Sequence, residues 1–266
     1  MNTNWISEQI NFTVSQWDTS MENAYPQVKE WNSDSAKYYH QVCEQCNFLD
    51  AAMLINWENY LVDECSILDL GCGGGWLSGY LSTFEKVKSI LAVDTSKNYL
   101  YTIMPGVIEI MHGDTSKITT IEGMFSPIQL EEGSLDMVVA SAALHHADNL
   151  QFLLNEIRSK LKLGGVLMII NETPSAYGKY LARLGFAFSK IFLRAVFRKY
   201  TLVSPKISSA FFEYDPYLGD KMYPMWYWKE AINRAGFELT ECIDTKMATL
   251  KGTKKESLKH FICKAI

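Results

Sequence analysis

The predicted architecture rests on Ser66-Ile-Leu-Asp-Leu-Gly-Cys-Gly-Gly-Gly-Trp-Leu-Ser78, in which an apolar run ends abruptly in glycines and an amphipathic segment follows. The apolar run predicts a strand that is buried on both faces. The glycines permit positive φ angles and let a ligand approach the bare backbone. The segment from Trp76 predicts a helix, whose first free N–H groups favour a phosphate or a carboxylate. The sequence therefore predicts a strand, a tight turn and a helix that face an anionic group.

The spacing of these glycines argues against a nicotinamide dinucleotide site. The fingerprint G-x-G-x-x-G needs a glycine at its sixth position, which this chain fills with Trp76 or Ser78, depending on the starting glycine. The chain instead has Asp69-x-Gly71-x-Gly73-x-Gly75. This pattern resembles the nucleotide-binding loop of class I S-adenosylmethionine-dependent methyltransferases. A glycine-rich turn without a ligand is the alternative.

Composition and charge limit the class of protein. A chain of 266 residues, 48% hydrophobic and 13% aromatic, can bury the core of one elaborated domain. The net charge of −5 argues against general binding of nucleic acid. Because the sequence has neither a basic start followed by an apolar run nor an apolar span of about 20 residues, we expect a cytoplasmic protein, either free or attached peripherally to the inner membrane surface.

The six cysteines are scattered, which predicts reduced thiols. Cys43-x-x-Cys46, with His40 upstream, is a closely spaced pair. A structural zinc site needs four ligands, and no second paired cluster appears, so a packing role is favoured and no metal is expected.

A second acidic residue follows the next apolar run. Ser89–Asp94 predicts a buried strand that ends in a carboxylate about 20 residues after the glycine loop. In doubly wound sheets, an acid at this place accepts hydrogen bonds from ribose hydroxyls. Asp94 and Thr95 are also good N-cap residues for a helix that begins at Ser96, and the two roles are compatible.

Three further apolar runs predict the rest of a parallel sheet. We interpret Val107–Asp114 as the third strand, Leu135–Ser141 as the fourth and Val166–Ile170 as the fifth, with an amphipathic helix over Asp148–Leu163. Strands that alternate with helices form parallel sheets with right-handed crossovers. Ligands of such sheets bind at the carboxyl ends of the strands.

The order of these motifs across roughly residues 64–172 resembles the small-molecule branch (methyltransferase type 11/12-like) of the class I family. The resemblance implies a Rossmann-like, doubly wound α/β sheet of seven strands in the order 3-2-1-4-5-7-6, whose antiparallel seventh strand is Leu258–Ala265. It implies S-adenosylmethionine as cofactor, S-adenosylhomocysteine as product and no metal. Asp114 would accept from the adenine amino group. The implied cofactor contacts are Asp69, Gly71, Cys72, Gly73, Gly75, Trp76, Asp94, Thr95, Gly113, Asp114, Thr115, Ser141 and Leu144.

The exit of the fourth strand narrows the substrate class. It has Ser-Ala-Ala-Leu in place of the Asn or Asp, prolines and aromatic residue of base amino methyltransferases, and it lacks the paired glutamates of arginine methyltransferases. Asn171-Glu172 offers too few oxygen ligands for the magnesium of catechol methyltransferases. A metal-independent enzyme for a small molecule remains. His145, His146 and Glu172 are candidate bases, with packing or a cofactor wall as the alternative role.

The predicted organisation is one methyltransferase domain, residues 1–266. It comprises a helical cap (1–64), a cofactor-binding core (65–173), a helical insertion after the fifth strand (174–225), and a C-terminal helix with strands six and seven (226–266). The insertion has seven basic residues and no acidic one between Ser175 and Phe212. A substrate lid, a membrane-surface helix and a dock for an anionic carrier are the three interpretations. The candidate substrate-binding aromatics are Tyr38, Tyr177, Phe212, Tyr214, Tyr223, Trp226 and Tyr227.

The sequence thus favours methylation of a small aromatic or hydrophobic acceptor on oxygen, in secondary metabolism. One alternative is carbon methylation of a quinone-like or lipid acceptor at the membrane surface. The other is a non-catalytic module that binds S-adenosylmethionine, since its glycine loop would look the same. No nucleic-acid partner is expected, and the sequence predicts no particular oligomeric state.

Overall fold

A computed structural model of the chain describes residues 3–6, 26–175, 213–215, 220–252 and 257–266, together with positions 178, 181, 182, 185 and 189. Its centre is a seven-stranded sheet in the order β3-β2-β1-β4-β5-β9-β8. The strands are β1 Cys65–Leu70, β2 Val87–Asp94, β3 Ile118–Glu122, β4 Leu135–Ser141, β5 Leu161–Glu172, β8 Phe237–Ala248 and β9 Ser257–Ala265, with β6 Glu213–Asp215 and β7 Asp220–Lys221 in a separate ribbon.

The strand directions confirm the expected topology. Strands β1 to β5 pair in parallel, and β9 is antiparallel to both β5 and β8. The α-helices are α1 Pro26–Trp31, α2 Ser35–Tyr39, α3 Phe48–Ala52, α4 Trp76–Ser82, α5 Met104–Ile110, α6 Leu150–Lys160 and α7 Met225–Arg234. Because parallel strands present their carboxyl ends at one edge, the glycine loop, Asp94 and the exits of β4 and β5 lie along the same edge.

The core has one apolar layer on each face of the sheet. Alternate residues of a strand point to opposite faces, so Leu68 packs in the layer under α6 and α7, while Ile67 packs in the layer under α4 and the cap. Both side chains are fully buried, with 0% exposure. The central strands therefore read as continuous apolar runs rather than as alternating ones.

The third strand was predicted wrongly. The first half of the predicted strand, Val107–Asp114, belongs to the helix α5, and the true strand is Ile118–Glu122. Met104, Val107 and Ile108 recur at helical spacing and form the buried face of α5, and a proline stands in its first turn.

The correction moves Gly113, Asp114 and Thr115 away from the predicted adenine site. They precede β3, and the Asp114 N–H donates to Ser82 Oγ, 2.8 Å away, at the end of α4. Since α4 starts at the glycine loop and runs back along the sheet, its end lies at the opposite edge. Asp114 caps the short helical turn before β3 by accepting from the Ser116 N–H, and it does not follow a strand.

The described part of the cap contains short helices. Helix α2 is followed by a π-helical turn, His40–Gln45, and α3 is followed by a 3₁₀ turn, Trp57–Asn59. Asn47 has φ 59°, which interrupts the helix between them. Met53, just after α3, is 60% exposed, whereas Trp57 and Leu61 further along the chain are buried.

The insertion leaves and re-enters the core at one place. The Ser175 N–H donates to the Tyr223 carbonyl at 3.0 Å, and Ser175 also bridges Pro224. The described positions 178, 181, 182, 185 and 189 are helical, whereas β6 and β7 form an antiparallel ribbon rather than a helix. The seven basic residues of the insertion, Tyr177 and Phe212 lie outside the described residues.

Residues 3–6 pair with the end of β3, the outermost strand on one side of the sheet. The Trp5 N–H donates to the Glu122 carbonyl at 2.7 Å, and the Glu122 N–H donates to the Thr3 carbonyl at 3.0 Å. The Trp5 side chain is buried beside Gly123.

As for membranes, no helix of the described part of the chain combines the length and apolarity that a bilayer crossing requires.

Candidate active site

The glycine loop between β1 and α4 has a backbone that only glycine adopts easily. Gly71, Gly73 and Gly75 have φ angles of 76°, 51° and 75°. A Cβ at Gly71 would also lie 2.8 Å from side-chain atoms of Phe125 and of Ala143. Backbone angles and close packing therefore both require glycine in this loop. The loop exposes bare backbone at the carboxyl ends of the strands.

Asp94 ties the end of β2 to this loop. Its Oδ2 accepts from the Gly73 N–H at 2.8 Å, and its Oδ1 accepts from the Ser96 N–H at 2.9 Å. Burial raises the pKa of Asp94, while these N–H groups and the nearby His146 imidazole partly offset that effect. The predicted N-cap contact at Ser96 is present, and it leaves lone pairs of the carboxylate for a further donor.

Asp69, at the end of β1, is a fully enclosed carboxyl group. Its Oδ2 accepts from Ser78 Oγ at 2.6 Å, and its Oδ1 is buried without a hydrogen-bond partner among the described residues. Burial raises the pKa of Asp69 to about 7, the Ser78 hydroxyl lowers it, and the neighbouring Asp94 raises it further. An ammonium or another donor at Oδ1 would satisfy this acceptor and favour the ionised form.

Tyr38 of α2 reaches the glycine loop rather than the aromatic cluster. Its hydroxyl oxygen accepts from the Gly74 N–H at 2.9 Å, and its ring lies 5.4 Å from that of Tyr99. The side chain is only 7% exposed. This position brings the cap against the predicted cofactor loop, whereas Tyr38 was predicted to bind the acceptor.

The exits of β4 and β5 bring two candidate bases together. His145 Nδ1 lies 2.8 Å from Glu172 Oε2. The Glu172 side chain is 2% exposed and that of His145 is 23% exposed. His146 packs its ring against that of His145, with centroids 4.2 Å apart. The positive φ of 48° at Ala142 turns the chain out of β4 just before these residues.

A small pocket lies beside this His–Glu pair. Its volume is about 100 Å³. Of the predicted acceptor-binding aromatics, Tyr223 lines the pocket. The ring of Tyr227 stacks on the ring of Tyr223, with centroids 4.8 Å apart, and Trp226 is 46% exposed. Tyr214 lies in β6, and Tyr177 and Phe212 fall outside the described residues. The lining residues are His145, Glu172, Thr173, Lys221, Met222, Tyr223 and Trp228.

The remaining predicted cofactor residues differ in how deeply they are buried near the carboxyl ends of the strands. Cys72 and Leu144 are buried, and Thr95 is half-buried at the end of β2. The Trp76 ring packs toward Phe48 of the cap, with centroids 6.5 Å apart. Ser141 Oγ accepts from Asn171 Nδ2 at 3.0 Å, which links the ends of β4 and β5. The described residues contain no cluster of three or more His, Cys, Asp or Glu side chains that could hold a metal ion.

Several residues at this edge were missed from the sequence. Gly123 and Phe125 follow the true third strand, and Phe125 packs against Gly71. Lys221 and Met222 line the pocket. The turn glycine after Ile118–Glu122 was the available signal for the first two. The two pocket residues lie near the end of the insertion, and no local pattern connects them to β4 or β5.

Comparisons with known proteins show which family part of the chain resembles. Residues 68–169 match a family model described as a methyltransferase domain. Two curated relatives are a demethylmenaquinone methyltransferase of Leptospira interrogans, 29% identical over 53% of this chain and 58% of that protein, and the ubiquinone/menaquinone biosynthesis C-methyltransferase UbiE of Campylobacter jejuni, 24% identical over 46% and 51%. The chain thus spans little more than half the length of these relatives.

A solved structure agrees at the level of the fold. A SAM-dependent methyltransferase from Aquifex aeolicus has a TM-score of 0.52 and 13% identity, covering 82% of this chain and 90% of that one. At this identity the likeness concerns the arrangement of strands and helices.

Proposed function

Given that the chain carries a class I S-adenosylmethionine-dependent methyltransferase domain, we propose that it methylates a hydroxyl oxygen of a small aromatic or hydrophobic acceptor. The observation that carries this proposal is the contact of 2.8 Å between His145 and the buried Glu172 beside the pocket. A hydroxyl oxygen is a poor nucleophile until its proton is removed. A positioned base therefore supplies what methylation of a hydroxyl oxygen requires.

The residues of the carboxyl edge fit the cofactor. The buried Asp69 Oδ1, which no described residue contacts through a hydrogen bond, suits the ammonium of the amino-acid end. Asp94 retains lone pairs for ribose hydroxyls, and the bare backbone at Gly71 and Gly73 admits a ligand to close range. S-adenosylmethionine supplies a methyl group that a positively charged sulfur activates. The chain itself has to bind, orient and desolvate the reactants.

Glu172 holds His145 in the tautomer that a base requires. Because an ionised carboxylate can only accept, His145 Nδ1 donates to it and Nε2 keeps its lone pair. Nε2 takes the proton of the acceptor hydroxyl. With S-adenosylmethionine bound, the oxygen would bond to the methyl carbon, and the electron pair of the broken methyl–sulfur bond would return to sulfur. The products are a methyl ether, S-adenosylhomocysteine and a proton that leaves from the imidazolium.

Carbon methylation of a quinone-like acceptor is the second candidate. Two curated relatives, whose names make them methyltransferases of menaquinone or ubiquinone biosynthesis, favour it. Removing the proton of a ring hydroxyl also raises the electron density of the adjacent ring carbon. The same His145–Glu172 pair would then act as base. The new bond would form at carbon, the hydrogen on that carbon would leave as a proton, and the ring oxygen would regain its hydroxyl proton.

Isotope labelling identifies the acceptor whatever its structure. The purified protein is incubated with a metabolite extract of the native cell and with S-adenosylmethionine that carries a deuterated methyl group. Mass-shifted products are then identified, and their fragmentation distinguishes an ether from a methylated ring carbon. If the protein binds S-adenosylmethionine but no extract yields a labelled product, a non-catalytic cofactor-binding module replaces this proposal.

The role of the base is tested with two neighbouring histidines. His145→Gln should lower the turnover of the identified acceptor about 10²-fold, because the proton loses its acceptor, while the affinity for S-adenosylhomocysteine stays nearly constant. His146→Gln is the matched control, since this ring has Asp94 rather than Glu172 as its described electrostatic partner. It should change cofactor affinity more than turnover. Full turnover in the His145 variant would contradict the proposed base.

A further inference from the structure

The second carboxylate oxygen of Glu172 takes no part in the proton transfer. Glu172 Oε2 contacts His145, whereas Oε1 is buried and has no hydrogen-bond partner in the part of the chain that the structure describes. The side chain as a whole is 2% exposed, so water does not hydrate it freely. Glu172 also lines the pocket beside the His–Glu pair. Oε1 is thus a buried acceptor atom on a side chain that lines a cavity.

A buried acceptor of this kind destabilises the protein unless a ligand donates a hydrogen bond to it. The loss of stability of the folded protein is larger when the acceptor is charged. Native proteins leave few such groups, and those at functional sites are commonly satisfied by a bound molecule. The complement of a carboxylate oxygen is an O–H or N–H group.

We propose that the acceptor carries a second hydrogen-bond donor, a hydroxyl or amino group besides the hydroxyl that is methylated, and that Glu172 Oε1 accepts from it. The inference rests on the proposed function for the identity of the first hydroxyl. It adds a recognition element, because Glu172 then orients the base through Oε2 and selects the acceptor through Oε1.

The walls of the pocket agree with a substituted ring as the bearer of both groups. Tyr223, Trp228 and Met222 supply apolar and aromatic surface to the pocket that the polar pair also lines. The volume of about 100 Å³ is smaller than the ~150 Å³ that encloses benzene in an engineered cavity. The pocket thus accommodates one edge of a ring with its substituents. A ring with two adjacent hydroxyls, or with a hydroxyl beside an amino group, has the required edge.

Three ring probes separate a donor from other groups. Catechol presents two donors, guaiacol replaces one of them by a methoxy oxygen, and phenol has only one. Binding is measured by ligand-observed NMR or calorimetry with the protein saturated by S-adenosylhomocysteine. Catechol should bind about 10-fold or more tightly than guaiacol and phenol, because the analogues leave Oε1 unsatisfied.

Glu172→Gln reverses the chemistry at this one atom. The amide oxygen can still accept from His145 Nδ1, and the amide nitrogen then places a donor where Oε1 stood. The preference should shift from catechol to guaiacol. Met222→Leu is the matched control, since it changes the same wall without touching the carboxylate, and it should keep the preference for catechol.

Equal binding of the three probes to the native protein would overturn the proposal, and so would an unchanged preference in a folded Glu172→Gln variant. The order of the probes on the native protein decides the question even if that variant does not fold. These measurements detect binding without turnover. Their failure is therefore distinguishable from failure of the proposed function, which the His145→Gln turnover tests.

Discussion

Asp69 is a buried carboxyl group with no positively charged partner among the described residues. Its carboxyl group has Ser78 as a donor and one oxygen without a partner among the described residues. Burial raises its pKa to about 7, far above the ~3.9 of an exposed aspartate. The folded state thus binds a proton that the unfolded state releases between these values. The stability that this proton provides is fully present below about pH 4 and is lost as the pH rises through 7.

We expect cofactor binding to reverse this preference. A cationic group at Asp69 Oδ1 favours the carboxylate, so the affinity for S-adenosylmethionine should rise between about pH 5.5 and 7.5, with release of a proton at the lower pH. Calorimetry in two buffers of different ionisation enthalpy measures that release. Asp69→Asn is the control and should bind with little pH dependence in this range. A native protein that releases no proton would contradict the assignment.

The site could be predicted from the sequence only where it is local. The glycine loop and Asp94 lie within two strand ends, and both are found at the expected edge. His145 and Glu172 were each predicted as candidates, but their contact joins residues 27 positions apart. It depends on the pairing of β4 with β5 and on the positive φ of Ala142. Neither of these is visible in a stretch of sequence.

At the scale of the elements, the third strand shows why apolar periodicity can mislead. Val107–Asp114 contains alternating β-branched residues and ends in Gly-Asp, which is typical of a strand end. The true strand, Ile118–Glu122, belongs to the edge of the sheet, and only Ile121 in it is fully buried. An edge strand needs little apolar surface, so its signal was weaker than that of the helix before it.

His260 joins three elements through one imidazole. Its Nδ1 accepts from the Asn171 N–H of β5 at 3.1 Å, so Nε2 carries the proton and donates to the Ala51 carbonyl of α3 at 2.9 Å. The ring is completely buried in β9, and burial lowers its pKa, while the hydrogen bonds partly offset that shift. The neutral tautomer is therefore the one that fits both neighbours.

We expect His260→Leu to lower the free energy of unfolding by about 2–4 kcal/mol, because two buried backbone groups lose their partner. Because its pKa is depressed, His260 contributes stability that is present above about pH 6.5 and is lost as the pH falls below it. Denaturant unfolding at pH 7.5 and 5.5 measures both effects. The exposed His40 is the control site, and His40→Leu should change stability little. If the His260→Leu variant were as stable as the native protein, the proposed role of His260 in joining the three elements would be refuted.

At the scale of the whole molecule, the insertion behaves as an addition to the cofactor-binding sheet. Its two ends are held together by the Ser175–Tyr223 hydrogen bond. Replacing residues 178–199 by a short Gly/Ser linker should therefore leave the thermal midpoint and the affinity for S-adenosylhomocysteine nearly unchanged. If the segment is a substrate lid, methyl transfer to the identified acceptor should be lost, because the acceptor site would no longer be covered.

The basic residues of the insertion are tested separately. Neutralising Lys179, Arg183, Lys190 and Arg194 together should spare turnover of a free acceptor if the segment is a lid. If it is a dock, binding to anionic vesicles or to a carried substrate should weaken, most visibly at low salt. Full activity of the shortened protein on its natural acceptor would show that the insertion has neither role.

The pairing of residues 3–6 with the end of β3 also affects how the protein behaves in concentrated solution. β3 forms one border of the sheet, and its β-branched run Ile118-Thr-Thr-Ile121 is the kind of strand to which a second chain readily adds. Residues 3–6 occupy the Glu122 end of that border, and the bulky Trp5 fills the space beside it. Trimming or displacing these residues should therefore appear first as self-association, before any loss of catalysis, and light scattering would detect it.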